Sequence, residues 1–258
     1  MIRLNLYLYA LFTIWFFVSC GGAGNNSSSG TSTQGKSGSM ARFAIVGDYL
    51  YTVNESQMNV FDVANASQPK NASKVHLPWD VETLFAYKSY LYIGASSGMY
   101  IYDNSMPLQP TLLTKFTHAQ SCDPVVVQDD IAYVTLNTGA GCWNNRSGIN
   151  RLEIVNVENP EKPKLIKKVD MWKPTGLGID KNILFICDGD SGLKVFDINA
   201  TRDEKNQTKI GLSILPGEGD INCYDVIAYD KNLIVSNGND IRQFEYSSFP
   251  MEEVSKIK

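Results

Sequence analysis

The chain carries one pattern of apolar and polar positions five times. Each copy is a short run of alternating or mixed apolar residues with an acid or amide near its end, and the copies cover residues 58–63, 99–103, 152–157, 193–198 and 241–246. The acid or amide stands at positions 62, 103, 156, 197 and 245, so successive copies are 41, 53, 41 and 48 residues apart. A period of this length is typical of a repeat architecture.

Each repeat contains three further strand-like segments. An apolar pair that often includes an aromatic precedes every copy, at residues 50–51, 91–92, 132–133, 184–185 and 233–234. A turn signal and another short apolar run come before this pair, and a fourth run follows the acid position, as at residues 164–169. Four short strands joined by tight turns form the blade of a β-propeller.

The sequence therefore predicts an all-β fold, a β-propeller with five four-stranded blades. The predicted blades are residues 40–78, 79–120, 121–172, 173–221 and 222–258. Apolar runs such as residues 183–187 do not alternate with polar residues, as expected where neighbouring blades cover both faces of a sheet. No swapped strand is visible at the termini, so ring closure is predicted to depend on packing between the first and last blades, with terminal residues contributing.

Two recurring residue types locate the turn between the third and fourth strands. Proline follows the acid position by seven residues in the first three repeats, at Pro69, Pro110 and Pro163, and opens the outermost strand because it donates no ladder hydrogen bond. The side chains of the acid column are predicted to accept backbone hydrogen bonds at this turn, a structural role rather than a catalytic one. They are Asp62, Asp103, Asn156 and Asp197.

The repeat resembles that of the LVIVD-repeat family of bacterial and archaeal envelope proteins. The resemblance rests on residues 152–157 (LEIVNV) with residues 159–163 (NPEKP), and on residues 193–198 (LKVFDI). The chain departs from the family pattern at Asn156 and Glu245, and the last two repeats lack the proline. The resemblance implies a β-propeller of the cell envelope and brings no catalytic motif with it.

The first 39 residues predict export and membrane attachment. Residues 1–19 carry one charge, Arg3, and a short apolar stretch typical of a signal peptide. Cys20 follows the small residue Ser19, as in a bacterial lipobox, and predicts a lipidated cysteine; ordinary secretory cleavage and an uncleaved anchor are the alternatives. Residues 20–39 are then a Gly/Ser/Asn-rich tether, and the predicted location is the bacterial envelope, at the outer membrane or cell surface.

One insertion distinguishes the third repeat. Residues 136–150 join its second and third strands, where the first repeat uses only residues 54–57. Long loops on a rigid scaffold commonly bind ligands. The candidate contacts in this insertion are Trp143, Asn144, Asn145 and Arg146, although a merely decorative insertion is the alternative. Trp79 and Trp172 are further candidate anchors, since aromatic residues contribute strongly to interfaces.

Four cysteines remain after Cys20. The pairs that need the shortest chain excursions are Cys122–Cys142 and Cys187–Cys223, and export permits them to form disulfides; buried free thiols are the alternative. No cysteine pair has zinc-site spacing, and His76 and His118 lie outside any ligand pattern, so no metal site is predicted.

Carboxylates begin the innermost strand of three repeats, at Asp80, Asp123 and Asp225. Each is expected to accept loop N–H groups, but a ring of acids at the channel could instead hold a structural calcium ion or act in glycan cleavage. Residues 188–192 (DGDSG) resemble part of a calcium loop and are assigned to a turn, because the terminal acid is missing.

The leading hypothesis is a non-catalytic, lipid-anchored module that binds an envelope protein or glycan through its loop-rich end, without a cofactor. The alternatives are a glycan hydrolase or lyase using the acids, and a structural spacer. The formal net charge is −4 and no basic cluster stands out along the chain, so nucleic acid is not a predicted partner. Trp143→Ala is expected to weaken partner binding and to leave thermal stability nearly unchanged.

Overall fold

The computed structural model describes residues 37–118, 124–138, 148–219 and 221–258. It confirms an all-β fold of five four-stranded antiparallel sheets arranged as a five-bladed β-propeller. In this part of the chain the only helical segment is a single 3-10 turn, Gly189–Ser191, and no helix has the length and hydropathy needed to cross a membrane.

Each blade uses four consecutive strands, written A to D from the channel outwards. Blade 1 comprises β1 (Phe43–Val46), β2 (Tyr49–Asn54), β3 (Gln57–Asp62) and β4 (Lys70–His76). Blade 2 comprises β5 (Val81–Tyr87), β6 (Tyr90–Ala95), β7 (Gly98–Asp103) and β8 (Thr111–Thr117). Blade 3 comprises β9 (Val125–Gln128), β10 (Ile131–Leu136), β11 (Arg151–Asn156) and β12 (Lys164–Asp170). Blade 4 comprises β13 (Leu177–Asp180), β14 (Ile183–Cys187), β15 (Leu193–Arg202) and β16 (Thr208–Glu218). Blade 5 comprises β17 (Asp225–Tyr229), β18 (Asn232–Ser236), β19 (Ile241–Glu245) and β20 (Glu252–Ile257).

The turn between strands C and D is built as predicted in three blades. The side chains of Asp62, Asp103 and Asn156 each accept a hydrogen bond from the backbone N–H two residues later, at 3.0, 2.8 and 2.9 Å. The prediction was wrong for Asp197, which accepts a hydrogen bond from the Asn182 side chain instead. The physical reason is that β15 continues past this residue to Arg202, so no turn follows it.

Four apolar clusters join neighbouring blades. They lie between blades 1 and 2, 2 and 3, 3 and 4, and 4 and 5, and each takes side chains from both sheets. Blades 2, 3 and 4 consequently bury both faces, and all six residues of β10 are buried. Burial of both faces explains why apolar and polar residues do not alternate in the inner strands of these blades, as predicted.

The first and last blades behave differently, and the prediction that closure depends on their packing was wrong. In strands β1 and β18, buried residues alternate with exposed ones. The reason is that, in the described part of the chain, blade 1 packs only on blade 2, and blade 5 packs only on blade 4. Among the described residues, no apolar cluster joins blade 1 to blade 5. The predicted contact of terminal residues with the ring is present, because Ser39 and Met40 donate hydrogen bonds to the carboxylate of Asp225 in blade 5.

A disulfide joins blades 4 and 5. Cys187 ends β14 and Cys223 precedes β17, and their sulfur atoms are bonded with Cα atoms 5.2 Å apart. Both residues are buried in the apolar cluster between these blades. One of the two predicted disulfides is therefore confirmed, whereas Cys122 and Cys142 lie outside the described residues.

Candidate functional site

Exposed aromatic residues mark the end of the propeller formed by the D–A and B–C loops, which we call the loop-rich end. Trp79 lies between blades 1 and 2 and is 70% exposed, and Trp172 lies between blades 3 and 4 and is 63% exposed. Tyr224, between blades 4 and 5, is about half exposed. Three D–A loops thus present a large aromatic side chain to solvent. The sequence predicted both tryptophans as candidate anchors but not Tyr224. The position of Tyr224 just before strand A could have identified it as a third.

The loop that carries Trp172 is held by polar contacts of its backbone. Asn150 donates its side-chain N–H to the Trp172 carbonyl at 2.8 Å and accepts hydrogen bonds from the Thr138 backbone and hydroxyl at 3.0 and 3.1 Å. On the other side, Asp188 accepts the N–H groups of Trp172 and Lys173, both at 2.9 Å. These hydrogen bonds fix the Trp172 backbone, while the indole ring remains exposed to solvent. The position of this loop therefore does not depend on packing of the indole ring.

A groove of about 620 Å³ lies beside Trp172. Its lining includes Thr138, Asn150, Arg151 and Lys173, so it combines an aromatic edge with hydrogen-bonding groups. The groove is also lined by Thr138 and Gly148, which belong to the two described ends of the blade 3 insertion. A ligand at Trp172 would therefore meet these ends of the insertion. Trp143, Asn144, Asn145 and Arg146 themselves lie outside the described residues, as do Cys20 and Asp123.

Asp188 serves the turn that the sequence assigned to residues 188–192. The 3-10 turn Gly189–Ser191 follows it directly, and its carboxylate accepts hydrogen bonds from the neighbouring loop. Burial raises the pKa of this carboxyl, and the two backbone N–H groups oppose that change. Within the described ranges no group of three or more His, Cys, Asp or Glu side chains has a metal-binding arrangement.

Asp225 lies at the mouth of the central channel, beneath the N-terminal segment 37–41. Its carboxylate accepts hydrogen bonds from the Ser39 hydroxyl at 3.1 Å and from the Met40 N–H at 3.3 Å, and the Ser39 oxygen in turn accepts the Leu177 N–H at 2.7 Å. The segment passes very close: a Cβ on Gly38 would lie 2.1 Å from the carboxylate. These contacts tie the entering chain to blades 4 and 5.

The channel below this segment is a cavity of about 230 Å³ lined by strand A residues of all five blades, among them Ala44, Phe85 and Val126. Ser37 also lines it. The cavity wall is largely apolar, and burial is the main cause that raises the pKa of Asp225 to about 6. The hydrogen bonds from Ser39, Met40 and Val226 oppose this rise.

The raised pKa of Asp225 predicts a distinctive pH dependence of stability. The folded protein holds this proton more tightly than the unfolded chain, whose value is near 3.8, so the contribution is complete below about pH 4 and is lost as the pH rises through 6. The difference in pKa corresponds to roughly 2–3 kcal/mol. We expect the stability of Asp225→Asn relative to the parent protein to increase by this amount between pH 4 and pH 7.5, measured by urea unfolding. A constant difference across that range would contradict the assignment.

The other described acid has separate partners. Asp80 has a positive φ of 69° and accepts a hydrogen bond from the Ser96 hydroxyl at 3.1 Å. Its backbone carbonyl also accepts the Ser96 N–H at 3.1 Å. Asp80 and Asp225 are thus each engaged locally, which supports the structural role considered for these acids.

A second cavity lies at the opposite end of the propeller and was not predicted. It measures about 580 Å³, lies between blades 3 and 4, and is partly covered by the β15–β16 hairpin, whose strands have 10 and 11 residues. Arg202 on this hairpin contacts both carboxylate oxygens of Glu158 at 3.2 Å. The usable signal was the 48-residue spacing between Asp197 and Glu245, which leaves seven extra residues for this connection.

A groove beside this cavity brings together lysines from two C–D turns and from the strands that follow them. Its volume is about 670 Å³, and its four lysines are Lys162, Lys164, Lys205 and Lys209. Blade 3 supplies the first pair and blade 4 the second, which explains why no basic cluster was visible along the sequence.

Comparisons with solved structures agree with the propeller fold. A periplasmic gluconolactonase from Pseudomonas aeruginosa is 14% identical with a TM-score of 0.53, and the match covers 82% of this chain and 67% of that one. Apo AztD from Citrobacter koseri is 12% identical with a TM-score of 0.56, covering 84% and 59%. A hypothetical selenium-binding protein from Sulfolobus tokodaii is 13% identical with a TM-score of 0.53, covering 82% and 59%. At these identities the likeness shows the fold alone.

The match therefore spans between 59% and 67% of the length of these three propellers. No family model matches the chain, and no curated protein matches it. The resemblance to the LVIVD-repeat family consequently stays a prediction from the repeat residues.

Proposed function

We propose that this protein is a non-catalytic interaction module of the bacterial envelope, anchored by lipid at Cys20, and that its loop-rich end binds an envelope protein or glycan. The observation that carries the proposal is the exposure of Trp79 and Trp172 on loops of the same end. Large aromatic side chains are the residues that most often dominate binding energy when a partner covers them.

A tryptophan buries about 150–250 Å² when it is covered, and apolar burial contributes about 25 cal/mol per Å². Covering the exposed part of either indole would contribute roughly 2–4 kcal/mol to association. Tryptophan also suits both partner classes, because its flat apolar face packs on protein or sugar rings and its N–H donates a hydrogen bond.

Preorganisation supports the same conclusion. The Trp172 backbone is held from two sides, by Asn150 and by Asp188. A fixed loop loses little conformational entropy on binding, so more of the contact energy becomes affinity. The groove next to Trp172 supplies polar groups that can select the partner.

A binding assay with two variants tests this proposal. Protein tagged at Lys258 is used to capture partners from detergent-solubilised envelopes, with Trp172→Ala and Trp79→Ala in parallel. We expect each substitution to weaken partner recovery at least tenfold, while the free energy of unfolding changes by no more than about 0.5 kcal/mol because these side chains are exposed.

Met106→Ala is the matched control, since Met106 is also largely exposed but lies in a C–D turn at the opposite end. It should leave partner recovery unchanged. Equal losses in all three variants, or a large fall in stability for Trp172→Ala, would contradict binding at the loop-rich end. Treating the captured material with glycosidases distinguishes a glycan from a protein.

The anchor makes a separate prediction. With a lipid on Cys20, the protein should sediment with membranes and partition into the detergent phase, and Cys20→Ala should move it to the soluble fraction. Unchanged membrane association of Cys20→Ala would contradict lipidation at this residue.

The raised pKa of Asp225 is the observation that favours the alternative function, a glycan hydrolase or lyase, since a carboxyl with a pKa of about 6 can act as a general acid. Against it, Ser39 and Met40 cover both oxygens of this carboxylate. Turnover of envelope glycans that disappears in Asp225→Asn, with the fold retained, would establish the enzyme. A structural spacer without a ligand would show neither turnover nor a partner.

A further inference from the structure

The sheet faces that blades 1 and 5 turn towards each other have no partner within the described chain. Strand register places Phe43, Ile45, Leu50 and Phe61 on one side of blade 1, opposite to the face that packs on blade 2. In blade 5, the residues on the side away from blade 4 include Ile227, Tyr229, Ile234 and Ile241. We call these surfaces the open face of blade 1 and the open face of blade 5.

Both open faces are apolar and exposed. Ile45 is 41% exposed and Ile234 is 42% exposed, although each lies in the first two strands of its blade, where the other blades bury their apolar residues. Phe43, Tyr229 and Ile241 are exposed as well. The equivalent strand positions in the other blades form the core. An exposed apolar patch at such positions indicates an interaction surface.

The two faces are complementary to each other. Apolar side chains occupy strands A and B of both faces, and strand C carries the amide Asn59 in blade 1 and the amide Gln243 with the acid Glu245 in blade 5. The outermost strands carry opposite charges, Lys74 on β4 and Glu252 on β20. Blade-to-blade packing of the same chemistry already forms the four interfaces within the ring.

We propose that a second copy of this chain covers these faces, with the open face of blade 5 of each copy packed on the open face of blade 1 of the other. This two-fold arrangement makes two identical interfaces and leaves no apolar blade face in water.

Light scattering on the full chain in a nonionic detergent tests the proposal. The parent protein should show twice the protomer mass in the micromolar range, between about 1 and 100 μM. Ile45→Glu and Ile234→Glu each place a charge on one open face, and each should reduce the mass to that of one protomer. Ile214→Glu is the control, because Ile214 is 77% exposed on the outer strand of blade 4, away from both faces.

Mixing the two variants gives the decisive result. Ile45→Glu retains an intact blade 5 face and Ile234→Glu an intact blade 1 face, so an equimolar mixture should recover a dimer through one interface, weaker than the parent dimer by at least tenfold. A parent protein that stays monomeric up to about 100 μM overturns the proposal, as does a dimer that survives both substitutions. Circular dichroism confirms that each variant is folded.

Discussion

Replacing both Cys187 and Cys223 with alanine lowers the free energy of unfolding by roughly 3–4 kcal/mol. The disulfide closes a loop with a sequence separation of 36 residues, and the loop-entropy relation gives this magnitude for a loop of that length. The bond also cross-links blades 4 and 5, so its loss leaves the apolar cluster between them as their main contact. Urea unfolding of the double variant against the parent protein measures the change.

The single variants and a reductant provide the controls. Cys187→Ala and Cys223→Ala should each reproduce most of the loss, and a reductant should bring the parent protein to the stability of the double variant. A loss below about 1 kcal/mol would show that packing alone holds blade 5 in place.

Phe185→Ala is expected to cost roughly 3–5 kcal/mol. The ring of Phe185 is fully buried in the cluster between blades 4 and 5, and it packs edge-on against Tyr246 with centroids 4.9 Å apart. Removing it leaves a cavity and takes away the partner of the Tyr246 ring, whose hydroxyl is fixed by a 2.8 Å hydrogen bond to Asp180. These contacts limit how far the site can collapse around the void.

Ile214→Ala serves as the comparison, since this side chain is largely exposed on an outer strand and should change stability by no more than about 0.5 kcal/mol. Both variants are measured by urea unfolding at pH 7. Similar effects for Phe185→Ala and Ile214→Ala would mean that blade 5 contributes little to the cooperative core.

The fold could be predicted from the sequence because each blade repeats the same local rules. Proline before β4, β8 and β12, and a side-chain acceptor at Asp62, Asp103 and Asn156, mark the same turn in successive repeats. Short-range hydrogen bonding and strand propensity determine these features, and both can be evaluated from neighbouring residues.

The relations between distant segments could not be predicted in this way. Nothing in the sequence near Asp225 indicates that Ser39, 186 positions away, would donate to its carboxylate. The same is true of Lys162 and Lys205, which line one groove although they belong to different blades. The Cys187–Cys223 pair is an exception, because the predicted strands already placed both cysteines at the same end of adjacent blades.

The open faces show a different kind of error. The five repeats have similar compositions, so the sequence suggested that blades 1 and 5 would pack against each other as the other neighbouring blades do. Packing depends on where the ring places those blades, which composition does not determine. The alternation of Leu233, Ile234 and Val235 between buried and exposed positions is the structural sign of that difference.

Photo-crosslinking in living cells tests the central claim of a binding surface at the loop-rich end most directly. A photoreactive phenylalanine analogue replaces Trp79, Trp172 or, as the control, Met106, and adducts are separated by mass after irradiation. Binding at the loop-rich end predicts a discrete adduct from positions 79 and 172 and none from position 106. An adduct from position 106 alone, or none from any position while the protein is folded and exported, would contradict the account.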